Sequence, residues 1–268
     1  MNRRNFLTSS LAAPALGLSV GGASAQSTGS DSAAKGRHFY ELRSYHLVSG
    51  QQKPTDAFLA EALIPALNRL DLKPVGAFEL YLGPETPTTY VLIPGASLES
   101  LVTAELHLAN DEEFQKAGQA FLHAPAKEPP YERMQSSLMI AFSGHPTLTV
   151  PPVTAQHGSR VFQLRTYESP NTADHIRKVE MFNSGEYEIF EKAGFWGVFY
   201  GDTLIGPRLP NLTYMLSFPD LSELNAKWKA FSSDPAWKKL SSDPRFSFEP
   251  IVSNITNLIL NPKSYSQI

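Results

Sequence analysis

The chain repeats itself. It reads FYELRSY at residues 39–45 and VFQLRTY at residues 161–167, which is nearly the same phrase 122 positions later. The match continues at offsets between 120 and 124, and it pairs Thr88–Ile93 with Leu212–Ser217 and Ser137–Ile140 with Asn257–Leu260. Self-similarity of this kind marks a duplicated structural unit, here one of about 105 residues.

Each copy predicts the order strand, helix, strand, strand, helix, strand. In the first copy, strands are expected at 37–46, 75–83 and 87–94, and helices at 54–70 and 97–109. Apolar residues at 3.6-residue spacing support the long helix, and Ser97 is placed to cap the second one. The order βαββαβ is the ferredoxin-like unit, an α+β fold with helices on one face of a four-stranded antiparallel sheet. One such sheet leaves its other face bare, so we expect the two copies to pack sheet to sheet as an internal pseudo-dimer.

Residues 1–25 have the character of an export signal. Arg3 and Arg4 precede an apolar run and the small-residue site Ala23-Ser24-Ala25, and the run is too short for a membrane span. The paired arginines followed by Asn-Phe-Leu match the twin-arginine type, and the alternative is an ordinary secretory signal. The sequence therefore predicts a periplasmic or other extracytoplasmic protein.

Beyond that signal, the sequence predicts a disordered tether at 26–36, a first repeat at 37–143, a proline-rich linker at 144–159 and a second repeat at 160–268. The formal net charge is −3 and no basic block is present, so nucleic acid and anionic membranes are poor candidates for partners. There is no cysteine, which excludes disulfides, thiolate metal sites and cysteine nucleophiles.

Several stretches resemble bacterial proteins of the NIPSNAP family. They are ELRSY and QLRTY in the two repeats, and VEMFNSGEYEIFEKAG, LIGPRLPNLTYMLSF and FSSDPAWKKL in the second repeat. The resemblance covers 37–268 and implies a dimeric α/β-barrel fold, which is related to small monooxygenases, isomerases, cyclases and haem-binding proteins. It implies no activity. The first copy lacks MFNSGE and LIGPRLPN, so we expect an asymmetric ligand site carried mainly by the second half.

Alternate residues of a strand share a face. Arg43 therefore shares a face with Tyr45, and Arg165 shares one with Tyr167. Because the opposite set is more apolar, we expect that set to pack on the helices, which turns both arginines toward the space between the sheets. A guanidinium there needs a partner. Two interpretations are open: the arginines bind a ligand anion, or they form structural ion pairs such as that of Glu41 with Arg43.

The stretch EMFNSGEY at 180–187 interrupts a predicted helix. Glycine inside a helix is unfavourable by about 1 kcal/mol relative to alanine, so we expect the break to serve a geometric purpose. Glu180, Asn183 and Glu186 could frame the mouth of a pocket, where a partly buried glutamate could act as a general base. The alternative is a corner between two helices that Asn183 caps.

The loop 201–211 places Arg208 between two prolines, which restrict its backbone. Arg208 is expected either to bind a carboxylate or to fasten the loop to the barrel. Tyr200 and Tyr214 belong to an aromatic group that forms either core or a ligand-stacking wall. Asn254, on the last strand, needs a hydrogen-bond partner if it points inward.

The seven histidines are scattered, without the spacing of a metal site. We predict no metal and no cofactor. His107 and His175 are the histidines expected nearest the barrel, and a haem ligand at either position is a minor alternative.

Two classes of function remain open. In the first, the protein is a cofactor-free enzyme, similar to a monooxygenase or an isomerase, that acts on a small apolar or aromatic molecule in the barrel. The roles assigned in that case are anion binding by Arg165 or Arg208, proton donation by Tyr167 or Tyr214, and proton acceptance by Glu180 or Glu186. In the second, it is a non-catalytic binding or protein-interaction module with a filled barrel. A cavity with a tyrosine or carboxylate reaching into it favours the first class, and a filled barrel with an exposed apolar patch favours the second. Assembly beyond the internal pseudo-dimer is also open.

Overall fold

Eight antiparallel strands close into one barrel. The computed structural model describes residues 36–83 and 85–268, so the predicted signal peptide and all but the last residue of the predicted tether lie outside the described residues. The strands are β1 (Phe39–His46), β2 (Gly76–Leu80), β3 (Thr88–Gly95), β4 (Arg133–Ala141), β5 (Val161–Glu168), β6 (Trp196–Ile205), β7 (Asn211–Phe218) and β8 (Asn254–Pro262). Around the barrel they follow the order β1-β3-β2-β8-β5-β7-β6-β4.

The strand order confirms two ferredoxin-like units in tandem. The first repeat contributes β4-β1-β3-β2 as neighbours and the second contributes β8-β5-β7-β6, which is the same order in both. The two sheets also join edge to edge, because β2 pairs with β8 and β4 pairs with β6. The inner faces of the sheets thus meet across a lumen, and every strand edge has a neighbour.

Helices cover the outside of both sheets. In the first repeat they are Gln52–Phe58, the π-helical segment Leu59–Leu63, Ile64–Arg69, Leu98–Val102, Ala104–Leu108, Glu112–Ala117 and Gln119–Leu122. The linker contains the 3₁₀ segment Pro152–Gln156. In the second repeat they are Thr172–Met181, the π-helical segment Phe182–Glu186, Tyr187–Lys192, Leu221–Ser233, Pro235–Ser241 and Phe248–Ile251.

Local capping fixes where several of these helices begin. Ser97 Oγ accepts a hydrogen bond from the backbone N–H of Ser100 at 3.3 Å, as predicted. Asp220 Oδ1 accepts one from Glu223 N–H at 2.9 Å in the second repeat. The predicted helix 97–109 is divided at Thr103, whose hydroxyl donates to the carbonyl of Glu99 at 2.7 Å. Such back-bonding competes with the regular helical pattern.

The two faces of the barrel wall bury different side chains. The lumen is packed at one end by residues from both repeats, namely Tyr40, Phe78, Met139, Phe162, Phe199 and Met215. The outer face of the second sheet packs against its helices through a second aromatic cluster, which includes Tyr167, Phe182, Phe190, Tyr200 and Tyr214. The described residues therefore pack both inside the barrel and beneath the helices.

The predicted orientation of the arginine–tyrosine set was wrong. Leu42 and Leu164 lie in the lumen, whereas Arg43 reaches Glu105 on an outer helix and Arg165 stacks on Trp228. The prediction treated the more apolar set as the one that packs on helices. Carboxylates and aromatic rings beneath the helices can stabilise a buried guanidinium. The lumen is itself an apolar core, so the leucines pack there instead.

Among the described residues, no helix has both the length and the apolar character needed to cross a membrane.

Candidate functional site

One end of the lumen remains open. A cavity of about 610 Å³ occupies it. Both repeats contribute equally to its lining: Leu42, Ser44, His46, Leu80, Glu85, Tyr90, Gln135 and Ser137 from the first, and Leu164, Thr166, Pro207, Arg208, Asn211, Thr213, Thr256 and Leu258 from the second. The expectation that the second half would carry the site is therefore wrong for this cavity. A volume of this size is in the ordinary range for small-molecule pockets, about 300–1,000 Å³.

The cavity is apolar inside and polar at its rim. Toward the packed core its wall consists of leucines and a tyrosine, namely Leu42, Leu80, Tyr90, Leu164 and Leu258. At the rim, Thr166 and Thr213 face each other across neighbouring strands with their hydroxyl oxygens 2.8 Å apart. Ser44, Gln135 and Thr256 add further polar groups. This gradient suits a molecule with an apolar body and a hydrogen-bonding end.

The loop after β6 holds Arg208 over the rim. Arg208 has a left-handed backbone with φ +58°, which an L residue adopts only when its surroundings support it. Asn211 supplies that support, because its Nδ2 donates to the carbonyls of Pro207 at 3.0 Å and Arg208 at 3.1 Å. Thr203 Oγ1 in turn donates to Asn211 Oδ1 at 2.7 Å.

The guanidinium of Arg208 already has a carboxylate partner. Arg208 Nη1 donates to Thr256 Oγ1 at 2.9 Å and lies 3.2 Å from Glu168 Oε1. Asn254 Nδ2 donates to the same glutamate oxygen at 2.8 Å. Two residues predicted to bind ligand, Arg208 and Asn254, thus converge on Glu168, and the rim carries a neutralised network rather than an isolated positive charge.

His46 and Tyr90 bring titratable groups into the cavity wall. His46 is buried; its Nδ1 lies 3.4 Å from Thr88 Oγ1 and 3.6 Å from Glu85 Oε2, and its Nε2 lies 3.4 Å from Ser44 Oγ. Burial raises the pKa of the Tyr90 phenol to about 12, so this hydroxyl stays protonated near neutral pH. The site can therefore donate and accept hydrogen bonds.

Three of the four residues assigned to catalysis lie together, but beneath the helices. Tyr167 and Tyr214 have their hydroxyl oxygens 2.8 Å apart, and both side chains are buried. Glu186 is also buried and accepts a hydrogen bond from Lys178 Nζ at 2.7 Å. Burial raises the pKa of Glu186 and lowers that of Lys178. Glu180, the fourth, is exposed on the helix Thr172–Met181.

The remaining predicted ligand-binding residues make structural contacts. Arg43 forms a bidentate pair with Glu41, in which Nε and Nη2 each lie 2.8 Å from a carboxylate oxygen, so the predicted ion pair is confirmed. Asn183 accepts a hydrogen bond from Gly144 N–H at 3.0 Å and donates to the carbonyl of Val179 at 3.1 Å. Tyr200 packs in the aromatic cluster beneath the helices.

The histidines considered as haem ligands lie away from the lumen cavity. His175 Nε2 lies 2.7 Å from Asp202 Oδ1, outside the barrel. His107 borders a shallow surface depression with Leu70 and Glu99. The described residues contain no group of three or more histidine, aspartate or glutamate side chains arranged to hold a metal ion.

Sequence reasoning missed the residues that line the rim. His46, Thr166 and Thr213 were not singled out, because a histidine or threonine near a strand end has no signature of its own. The signal that could have identified them was the alternation in FYELRSYH: reversing the faces puts Ser44 and His46 inside the barrel.

Comparison with known proteins agrees with the duplicated architecture. Residues 162–267 match the NIPSNAP family model. The second repeat therefore matches a NIPSNAP domain over nearly its whole length. The first repeat lies outside the matched NIPSNAP residues, as its missing MFNSGE and LIGPRLPN stretches suggest. Among curated proteins, none matches the sequence significantly.

Solved structures share the whole barrel rather than the NIPSNAP domain alone. A candidate monooxygenase from Fusobacterium nucleatum aligns with a TM-score of 0.57 at 6% identity, over 84% of this chain and 92% of its own. A candidate monooxygenase from Lactobacillus acidophilus aligns with a TM-score of 0.54 at 8% identity, over 84% and 94%. An anthrone oxidase-like protein aligns with a TM-score of 0.50 at 11% identity, over 86% and 93%. At these identities the likeness shows the fold and not the activity.

Proposed function

We propose that this NIPSNAP-domain protein binds a small molecule in the open end of its barrel. The single observation that carries the proposal is the cavity of about 610 Å³ between the two repeats, with a leucine-lined interior and a hydroxyl- and amide-lined rim. A non-catalytic interaction module with a filled barrel would lack this space. The monooxygenase-like neighbours are in keeping with a small-molecule site, but they share only the fold.

The cavity chemistry favours a ligand with an apolar or aromatic body and a neutral polar end. Because Arg208 is already paired with Glu168, an anionic end would gain little attraction there. The hydroxyls of Thr166, Thr213 and Thr256 can instead bind a phenol, an alcohol or a carbonyl. This replaces the expectation that Arg208 would hold an anion.

An enzymatic form of the proposal assigns the proton-transfer step to His46. Imidazole is the side chain that most commonly accepts a proton in catalysis near neutral pH, and the ring of His46 lines the cavity. Tyr167, Tyr214 and Glu186 are packed beneath the helices, so a ligand in the lumen does not meet them.

Native mass spectrometry of the full chain, purified without added ligand, tests binding. We expect a stoichiometric extra mass that is lost on denaturation, or saturable binding when 1-naphthol is added as a neutral aromatic probe. Leu258→Phe fills the lumen and should weaken binding. Ile259→Phe is the matched control, because Ile259 is the next residue on β8, is equally half-buried, and packs toward the outer cluster.

The proposal fails if neither a retained mass nor saturable naphthol binding is found. It also fails if the two phenylalanine variants weaken binding equally. If a retained ligand is found and is chemically changed over time, His46→Gln should stop that change while leaving binding in place.

A further inference from the structure

The two copies of the repeated arginine have opposite electrostatic surroundings. Arg43 is held by two carboxylates: Glu41 binds its Nε–Nη2 edge at 2.8 Å and Glu105 binds Nη1 at 2.6 Å. Its equivalent, Arg165, has no carboxylate within ion-pair distance in the described part of the chain. The first site is more than neutralised, whereas the second keeps a positive charge.

Specific substitutions between the repeats produce this difference. Gln163 stands where the first repeat has Glu41, two residues before the arginine. It does not turn back to Arg165: its Oε1 accepts a hydrogen bond from Trp228 Nε1 at 2.6 Å and its Nε2 donates to Asn257 Oδ1 at 2.9 Å. In the first repeat, Glu105 contacts Arg43 from an outer helix. In the second repeat, Trp228 contacts Arg165 from an outer helix, and the centre of its ring lies 4.3 Å from the guanidinium carbon.

The Nε donor that binds Glu41 in the first repeat is left unpaired in the second. Arg165 Nε is buried and has no hydrogen-bond partner among the described residues. A buried donor without a partner is uncommon in folded proteins and calls for an explanation. The nearby carboxylate of Glu186 already forms an ion pair with Lys178 Nζ, at 2.7 Å.

The surroundings of Arg165 combine partial solvent exposure with an apolar flank. Arg165 is half-buried, and its cross-strand partner on β8, Asn257, is exposed. Trp228 and Ile259, both half-buried, flank the same part of the outer sheet. Arginine is well suited to bind a carboxylate, because its planar guanidinium can donate two parallel hydrogen bonds to the two carboxylate oxygens.

We propose that Arg165 is a second ligand site, separate from the lumen, that takes the carboxylate of a small molecule on the outer face of the second repeat. The ligand carboxylate occupies the place that Glu41 occupies against Arg43, and the apolar body of the ligand lies against Trp228. The first repeat provides its own carboxylate, and the second leaves the position to a ligand.

Acetate titration followed by nuclear magnetic resonance tests this site. The chain has three tryptophans. The indole N–H of Trp228 donates to Gln163, and the indole ring packs against the Arg165 guanidinium. We expect a saturable shift of the Trp228 indole resonance with sodium acetate, and no such shift with sodium chloride at equal ionic strength. Benzoate should bind more tightly than acetate because its ring adds contact with Trp228.

Exchanging the repeat residues gives matched variants. Gln163→Glu supplies an internal carboxylate and should weaken acetate binding by about tenfold or more, while raising the thermal midpoint. Arg165→Gln should abolish binding. Glu41→Gln, the same exchange in the first repeat, should leave the Trp228 titration unchanged.

A shift that does not saturate, that chloride reproduces, or that survives both Gln163→Glu and Arg165→Gln would overturn the proposal. Naphthol binding in the lumen should be unaffected by Gln163→Glu. Failure of one site can therefore be told from failure of the other.

Discussion

At the scale of single residues, the second repeat buries an ion pair that the chemistry of the lumen does not use. Lys178 and Glu186 are both buried, 2.7 Å apart, and the lysine nitrogen lies 4.5 Å from the centre of the Phe182 ring. Removing two charges from water is costly, and their attraction repays that cost only with close geometry. The pair therefore depends on both members.

Glu186→Gln should destabilise the protein by about 3–5 kcal/mol at pH 7, because it removes the carboxylate that compensates a buried ammonium. The double variant Lys178→Met/Glu186→Met should be close to the wild type or more stable, because it removes both charges. Urea unfolding measures the two differences. A double variant as unstable as the single one would contradict this account.

The pH dependence of the single variant has a definite sign. Burial lowers the pKa of Lys178 below its unfolded value, so the unfolded chain binds more protons at this group than the folded chain. The contribution of Lys178 to the free energy of unfolding therefore rises with pH. The cost of burying its charge disappears only above the unfolded pKa of lysine, about 10.4. The deficit of Glu186→Gln should shrink as the pH rises toward that value.

At the scale of elements, the π-helical segment Phe182–Glu186 turns the chain between two helices. Gly185 has φ +133° and ψ −6° inside this segment, a conformation that residues with a Cβ rarely adopt. A Cβ there would meet nothing closer than Glu188 Oε2 at 4.0 Å. The cost of a side chain at this position is therefore backbone strain and not a clash.

Gly185→Ala should lower the free energy of unfolding by about 1–3 kcal/mol, which is the usual cost of a strained backbone. Ser184→Ala is the control, because Ser184 is exposed in the same segment; it should change stability by about 0.5 kcal/mol or less. Thermal unfolding of both variants provides the comparison. Equal losses would show that Gly185 has no special role.

At the scale of the whole molecule, the barrel needs both repeats. Each repeat alone would expose its half of the lumen core and two strand edges, those that form the β2–β8 and β4–β6 seams. Unpaired edges and bare apolar faces promote association.

Residues 160–268 expressed alone should therefore form a homodimer that rebuilds the barrel, or aggregate. Light scattering after size-exclusion chromatography gives the mass directly. Residues 37–143 give the corresponding test of the first repeat, and the same result is expected. A stable, folded monomer of either half would contradict the shared core.

The architecture was predictable from the sequence because periodicity and repetition act over many residues. The strand order follows from two βαββαβ units, and helix starts such as Ser97 follow from local capping chemistry. The inner face of β1 was not predictable from its composition, because Arg43 is held beneath the helices by Glu105 as well as by Glu41, and Glu105 lies 62 residues further along the chain. The rim was missed for the same reason: Thr166 and Thr213 become a site only when two strands align them.

A methyl nuclear magnetic resonance titration of the full chain with 1-naphthol would locate the ligand within the barrel. We predict shifts and intermolecular Overhauser contacts at the lumen leucines Leu42, Leu164 and Leu258. Leu216 and Leu224, which pack in the cluster beneath the helices, should stay unchanged. Contacts confined to Leu216 and Leu224, or none at either set, would contradict a ligand site inside the barrel.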